Sequence, residues 1–147
     1  MLKLIRRRTE KGQRDEKGQA LVEFALLVPI FLMLLFAIVD FGMGFHSWIT
    51  VTNSAREGAR LGAVHATTEK IIERVEDTTT LINEDTNMEV FVTNAADAGG
   101  QPGESVVVKV DYDYDLITPL ASLVAFISGD IIGPTLTLSS TAEMRLE

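Results

Sequence analysis

Residues 18–39 read GQALVEFALLVPIFLMLLFAIV, a carboxylate at Glu23 followed by 16 uninterrupted apolar residues from Phe24 to Val39. A bilayer core needs ~20 predominantly apolar helical residues. Ala20–Val22 on one side, and Phe41–Phe45 beyond Asp40 on the other, supply the balance, so the stretch predicts one membrane span over about residues 20–45. Pro29 stands inside it. A membrane helix tolerates proline because neighbouring groups satisfy the freed carbonyl, and a kink is expected there. Glu23 is the costly residue, since an ionised side chain at the centre of a membrane helix costs roughly 2.5–3.5 kcal/mol on insertion scales. It calls for a partner.

The charges on the two sides of this stretch differ in sign. Lys3, Arg6, Arg7, Arg8, Lys11, Arg14 and Lys17 precede it against Glu10, Asp15 and Glu16, seven basic minus three acidic, or +4. The remainder holds 6 of the 13 basic and 18 of the 21 acidic residues, or −12. Lys and Arg beside a span resist translocation, so residues 1–18 read as a cytoplasmic leader. An acidic body repels polyanions, which argues against nucleic acid as a partner. Cysteine is absent, which removes disulfides, a thiol nucleophile and a thiolate zinc site together. A chain of 147 residues leaves room for one small folded domain besides the span.

Three readings of the span compete. A cleaved secretory signal would have a shorter apolar region and a small-residue site, for which Val51, Asn53 and Ala55 are a poor match. An uncut signal anchor is the second. An anchor cut at its cytoplasmic end is the third, and it alone accounts for a Gly and a Glu five positions apart at the start of the run.

The helix is expected to continue past the membrane. From Ser47 to Ala66 the text SWITVTNSAREGARLGAVHA has no proline. Its small residues Ala55, Gly58, Ala59, Gly62, Ala63 and Ala66 recur at three and four, forming one stripe. Such a stripe admits a close backbone, either from a partner helix or from the chain's own sheet. A helix over residues 19–66 would be about 70 Å long, more than twice the hydrocarbon thickness of ~30 Å.

Residues 67–147 then read as an α+β head. A short amphipathic helix starts at Thr68, with Ile71, Ile72 and Val75 on one side. Met88–Thr93 reads as a strand, followed by the turn-prone run from Asp97 to Gly103. In the next strand Val106, Val108, Val110, Tyr112, Tyr114 and Leu116 take one face, and Val107, Lys109, Asp111, Asp113 and Asp115 the other. Thr118 and Pro119 open a brief apolar helix, LASLVAFIS, closed by Gly129. It is either buried on the sheet or laid on a membrane or partner. A last strand from Thr135 turns Leu136, Leu138, Ser140, Ala142, Met144 and Leu146 inward. The expected head is a small antiparallel sheet of three or four strands covered on one face by helix.

Groups for chemistry are few. His46 and His65 lie nineteen positions apart on one presumed helix and cannot share a metal within a protomer. Asp111, Asp113 and Asp115 lack the glycine turn and later glutamate of a calcium loop, and read as a solvated strand face. No nucleophile elbow or phosphate loop is present, so no catalytic residue, metal or cofactor is expected. Asp40 marks the outer membrane boundary, or makes a polar contact between packed helices.

The string Gly18-Gln19-Ala20-Leu21-Val22-Glu23-Phe24-Ala25-Leu26, then Pro29, Val39-Asp40-Phe41-Gly42 and Asn53-Ser54-Ala55-Arg56-Glu57-Gly58-Ala59-Arg60, resembles the TadE-like family of tight-adherence (Flp) pilus assembly. The resemblance covers residues 18–63 by motif. It implies a pseudopilin or minor pilin in a bacterial cytoplasmic membrane, with the head outside the cytoplasm or in an extracellular pilus. It implies cutting by a prepilin peptidase between Gly18 and Gln19, with Glu23 and Phe24 as the processing and assembly motif. It also implies contacts with the inner-membrane assembly platform, and with other pilins or further copies through the N-terminal helix. Pro29, Asp40, Gly58 and Gly62 are the candidate packing positions on that helix. Type IV pilins usually begin with an aromatic or aliphatic residue, whereas Gln19 is polar. A permanently anchored adhesion or ligand-binding module is the alternative.

Overall fold

The computed structural model describes residues 2–80, 82, 88–122, 125 and 135–147, with residues 2–17 described by their backbone alone. The chain divides into two units, Met1–Ile38 and Val39–Glu147.

Helix α1 runs from Leu2 to Ala63. The leader, separated from the helix on sequence grounds, has a helical backbone, in keeping with the helix propensity of its Arg, Lys and Glu residues. At the other end the helix stops three residues before the expected Ala66. Val64 N–H donates to the Leu61 carbonyl and His65 N–H to that of Gly62 at 3.0 Å, a tightened last turn. His65 then takes a left-handed φ of 62°, which ends the helical path.

Between Leu21 and Ile38 most apolar side chains are exposed. Leu21, Val22, Phe24, Leu26, Leu27, Ile30, Phe31, Leu34 and Ile38 are all exposed. Pro29 lies inside α1. Gly18–Ala63 is the one helical stretch among the described residues long and apolar enough to cross a membrane.

The second unit is an antiparallel sheet in the order β1-β2-β3, packed by α1 and by helix α2, Thr68–Thr79. Its strands are β1 (Met88–Thr93), β2 (Ser105–Asp115) and β3 (Thr135–Arg145). The expected strands are in place to within two residues at any end. In the β2–β3 register Val106 faces Met144, Val108 faces Ala142 and Tyr114 faces Leu136. Alternation puts Val106, Val108 and Val110 on one face of the central strand, fully buried. They meet Val51, Ala55 and Ala59 of α1 and Ile71 and Val75 of α2. Each such aliphatic side chain contributes about 1.5–3 kcal/mol when fully withdrawn from water.

The small-residue stripe of α1 makes this core possible. A Cβ on Gly58 would lie 2.7 Å from Val75 Cγ2 and 3.3 Å from Val108 Cγ1. One on Gly62 would lie 2.8 Å from Val106 Cγ2. The stripe is therefore filled by the chain's own α2 and β2. Contacts of Gly62 with Val106, Gly58 with Val108 and Gly44 with Tyr114 show that β2 runs antiparallel to α1, its end at Tyr114 beside the first turns after Val39.

Of the brief apolar helix, Leu120, Ala121, Ser122 and Ala125 are helical. Thr118 Oγ1 accepts from Leu120 N–H at 3.3 Å, the expected threonine cap. The rest of that helix, with its Gly129 stop, lies outside the described residues.

Candidate functional site

Two junctions on α1 carry the polar chemistry. At the first, Gly18 and Gln19 are exposed, and nothing lies within 4 Å of where a Cβ on Gly18 would be. One helical turn separates Gln19 from Glu23, so their side chains meet on one face. Gln19 Nε2 donates to Glu23 Oε1 at 3.0 Å. This contact gives Gln19 a role that sequence reading did not assign. Phe24 is exposed.

The second junction is Asp40. Its carboxylate is only 2 % exposed, although it follows a wholly apolar run. Ile117 N–H donates to Oδ1 at 3.0 Å and Thr118 N–H to the same oxygen at 3.1 Å. The Thr118 hydroxyl donates to Oδ2. Tyr114 closes the group, its hydroxyl donating to the Asp40 carbonyl at 3.2 Å. Three donors to one carboxylate satisfy a charge that burial alone would penalise. Asp40 thus fastens the loop after β2 to α1. The contact lies within the chain, whereas the sequence offered a boundary marker or a contact between packed helices.

Next to Asp40 the surface is apolar. Phe41, Phe45 and Trp48 of α1 and Leu116, Leu120 and Leu136 of the head line a groove of about 510 Å³. Phe45 and Trp48 meet edge to face at 6.2 Å between ring centroids.

Other polar groups serve the head's own architecture. Asp97 Oδ1 accepts Thr68 N–H at 2.7 Å and the Thr68 hydroxyl at 2.8 Å, capping α2 from twenty-nine residues away. The Thr68 main-chain bond is the chief cause holding the Asp97 carboxyl below its ordinary value. On the outer face of the sheet Thr135 donates to Asp115, Thr137 to Asp113 and Ser139 to Asp111. Lys109 Nζ donates to Asp111 at 2.6 Å, and with Ser139 this lowers the Asp111 pKa. The three aspartates are thus engaged by hydroxyls in a cross-strand ladder. The signal for that ladder was available, because antiparallel pairing of two strands already phased by alternation sets 111 against 139 and 115 against 135. The Asp97 cap had no comparable signal. Among the described residues no three His, Asp or Glu side chains could hold a metal ion; His46 and His65 are both exposed.

Fold and junctions together define a class: an α+β protein with a small three-stranded antiparallel sheet behind a long N-terminal apolar helix that has the length and composition of a membrane anchor. Residues 18–60 match the model of the TadE-like protein family. No curated protein and no solved structure matches the chain.

Proposed function

We propose that the chain is a pseudopilin or minor pilin of a tight-adherence pilus and not an enzyme. A prepilin peptidase cuts it on the cytoplasmic side after Gly18, and the mature protein packs through its N-terminal helix with the head outside. The observation that carries this reading is where the family match begins, at Gly18 itself, five residues before Glu23 and six before the apolar run. Cutting there would leave an ammonium on Gln19. That ammonium and the Glu23 carboxylate of an adjacent subunit would neutralise each other in a low-dielectric setting, where either alone is costly. Two features suit the substrate role. Gly18 is unobstructed, and glycine within a helix costs about 1 kcal/mol relative to alanine, which eases local unwinding at the cleaved bond.

N-terminal sequencing of the protein from pilus-forming cells tests the proposal. The expected start is Gln19, changing to the uncut leader when the prepilin peptidase is deleted. A start at Met1 in both strains, or near Ala55, overturns it, and the former supports a permanently anchored module.

A further inference from the structure

We propose that the head rests in the lipid. The apolar groove beside Asp40 is a bilayer-contacting surface, its occupant the acyl chains of the leaflet on the head's side of the membrane. This goes beyond the assembly role and rests on membrane anchoring alone, not on cleavage at Gly18.

A bilayer sets the length of the span that crosses it. Phe24–Val39 supplies 16 residues, fewer than the ~20 a hydrocarbon core needs, whereas Phe24–Phe45 supplies 22. A span that reaches Phe45 includes Phe41, Gly44 and Phe45, which are groove residues. Because β2 runs antiparallel to α1, its end at Tyr114 and Leu116 lies at this same level of the helix. The start of β3 accompanies it, since Leu136 pairs with Tyr114. Hydrocarbon around Phe41 and Phe45 therefore meets this end of the sheet.

Exposure and charge agree. Phe41 is 71 % exposed, Ile117 63 %, Phe45 59 % and Leu136 49 %. Contiguous apolar surface of this kind marks a contact. The one carboxylate among the groove's described lining residues, Asp40, is turned inward onto Ile117 and Thr118. A carboxylate at hydrocarbon depth must be satisfied within the protein, and this one is. Trp48, one turn beyond Phe45, stands where tryptophan concentrates, at the membrane–water interface.

The chain has no cysteine and a single tryptophan, so site-specific probes are clean. Full-length protein in phosphatidylcholine vesicles carries a nitroxide at Ile117→Cys or Leu136→Cys, with Thr137→Cys and Thr141→Cys on the outer face of the sheet as controls. We expect labels at 117 and 136 to be several-fold more accessible to oxygen than to a water-soluble nickel relaxant, with the controls reversed. Bromines on the acyl chains should quench Trp48. Water-like accessibility at 117 and 136 overturns the proposal, as does a chain that does not insert. Protection that appears only at high protein-to-lipid ratio overturns it in favour of a second copy in the groove. Equal protection at Thr137 and Thr141 overturns it too, because the face would then not be selective.

Discussion

Thr118 donates to Asp40 twice, its main-chain N–H to Oδ1 at 3.1 Å and its hydroxyl to Oδ2, across seventy-eight positions of sequence. One side chain thereby serves two elements. It neutralises a polar interruption in an apolar helix, and it fixes the start of the helical turn that Thr118 caps. The same bonds leave the neighbouring groove without an outward-facing charge.

Asp40→Ala should release that loop. Ile117 N–H, Thr118 N–H and the Thr118 hydroxyl all lose their acceptor, and because these donors are part-buried, water can replace it at less than the about 1–3 kcal/mol that a fully buried orphan costs. Asp40→Asn keeps Oδ1 as an acceptor and should lose less. Hydrogen exchange on the full chain in detergent is the check: protection at the Ile117 and Thr118 amides falls in the order wild type, Asn, Ala. Unchanged protection in the Ala variant would show that the loop is held by other contacts.

Gly58 and Gly62 should resist enlargement. Gly58→Ala places a methyl 2.7 Å from Val75 Cγ2, and overpacking of this kind costs about 1–3 kcal/mol. Paired with Val75→Ala, it should show a favourable coupling of about 0.5–3 kcal/mol in a double-mutant cycle. Gly42→Ala, with nothing within 4 Å of the added methyl, should not destabilise the head, since alanine is also the better helix former. Urea denaturation of Gly58→Ala, Val75→Ala, their double variant and Gly42→Ala, followed by far-ultraviolet circular dichroism, measures the set.

These sites also mark how far the residues alone could be read. Strands β2 and β3 announced themselves because a two-residue period is local: Val106, Val108 and Val110 are inward whatever else the chain does. The stripe at Gly58 and Gly62 was equally plain, but which surface fills it is a tertiary fact, since Val75, Val106 and Val108 could as well have been a partner's side chains. Asp40 was conspicuous for the same local reason, a charge among apolar residues. Its partners were not, because a main-chain N–H at Ile117 has no sequence signature. Junction residues Gly18 and Glu23 stand out by spacing, while the Gln19 contact with Glu23 became evident only once both lay on one helical face.

Stability should fall in acid through Asp97. Its folded pKa is lowered from the ordinary 3.8, chiefly by the Thr68 N–H, so the folded state binds this proton less readily than the unfolded chain does. The contribution is therefore fully present above 3.8 and is lost as pH falls below it, through the folded value. Asp97→Asn keeps an oxygen for the Thr68 N–H but cannot ionise, and should flatten this part of the melting-temperature profile between pH ~6 and ~2. Asp97→Ala should melt lower than wild type at neutral pH and show the same flattening. A wild-type slope in Asp97→Asn would assign the acid sensitivity to another carboxylate.

Glu23 and Gln19 separate charge from hydrogen bonding at the leader junction. In the uncut chain the Gln19 amide donates to Glu23, so a neutral acceptor at 23 could preserve that contact. If the mature ammonium is what pairs with Glu23, Glu23→Gln should fail in assembly as fully as Glu23→Ala, because neither supplies the opposite charge. Gln19→Ala keeps the ammonium and should still assemble. All three should insert, since the apolar run from Phe24 is untouched. The measurement is the amount of this chain in sheared surface filaments relative to the membrane fraction, by immunoblot. Assembly retained in Glu23→Gln and lost in Gln19→Ala would transfer the role from the charge pair to the side-chain hydrogen bond.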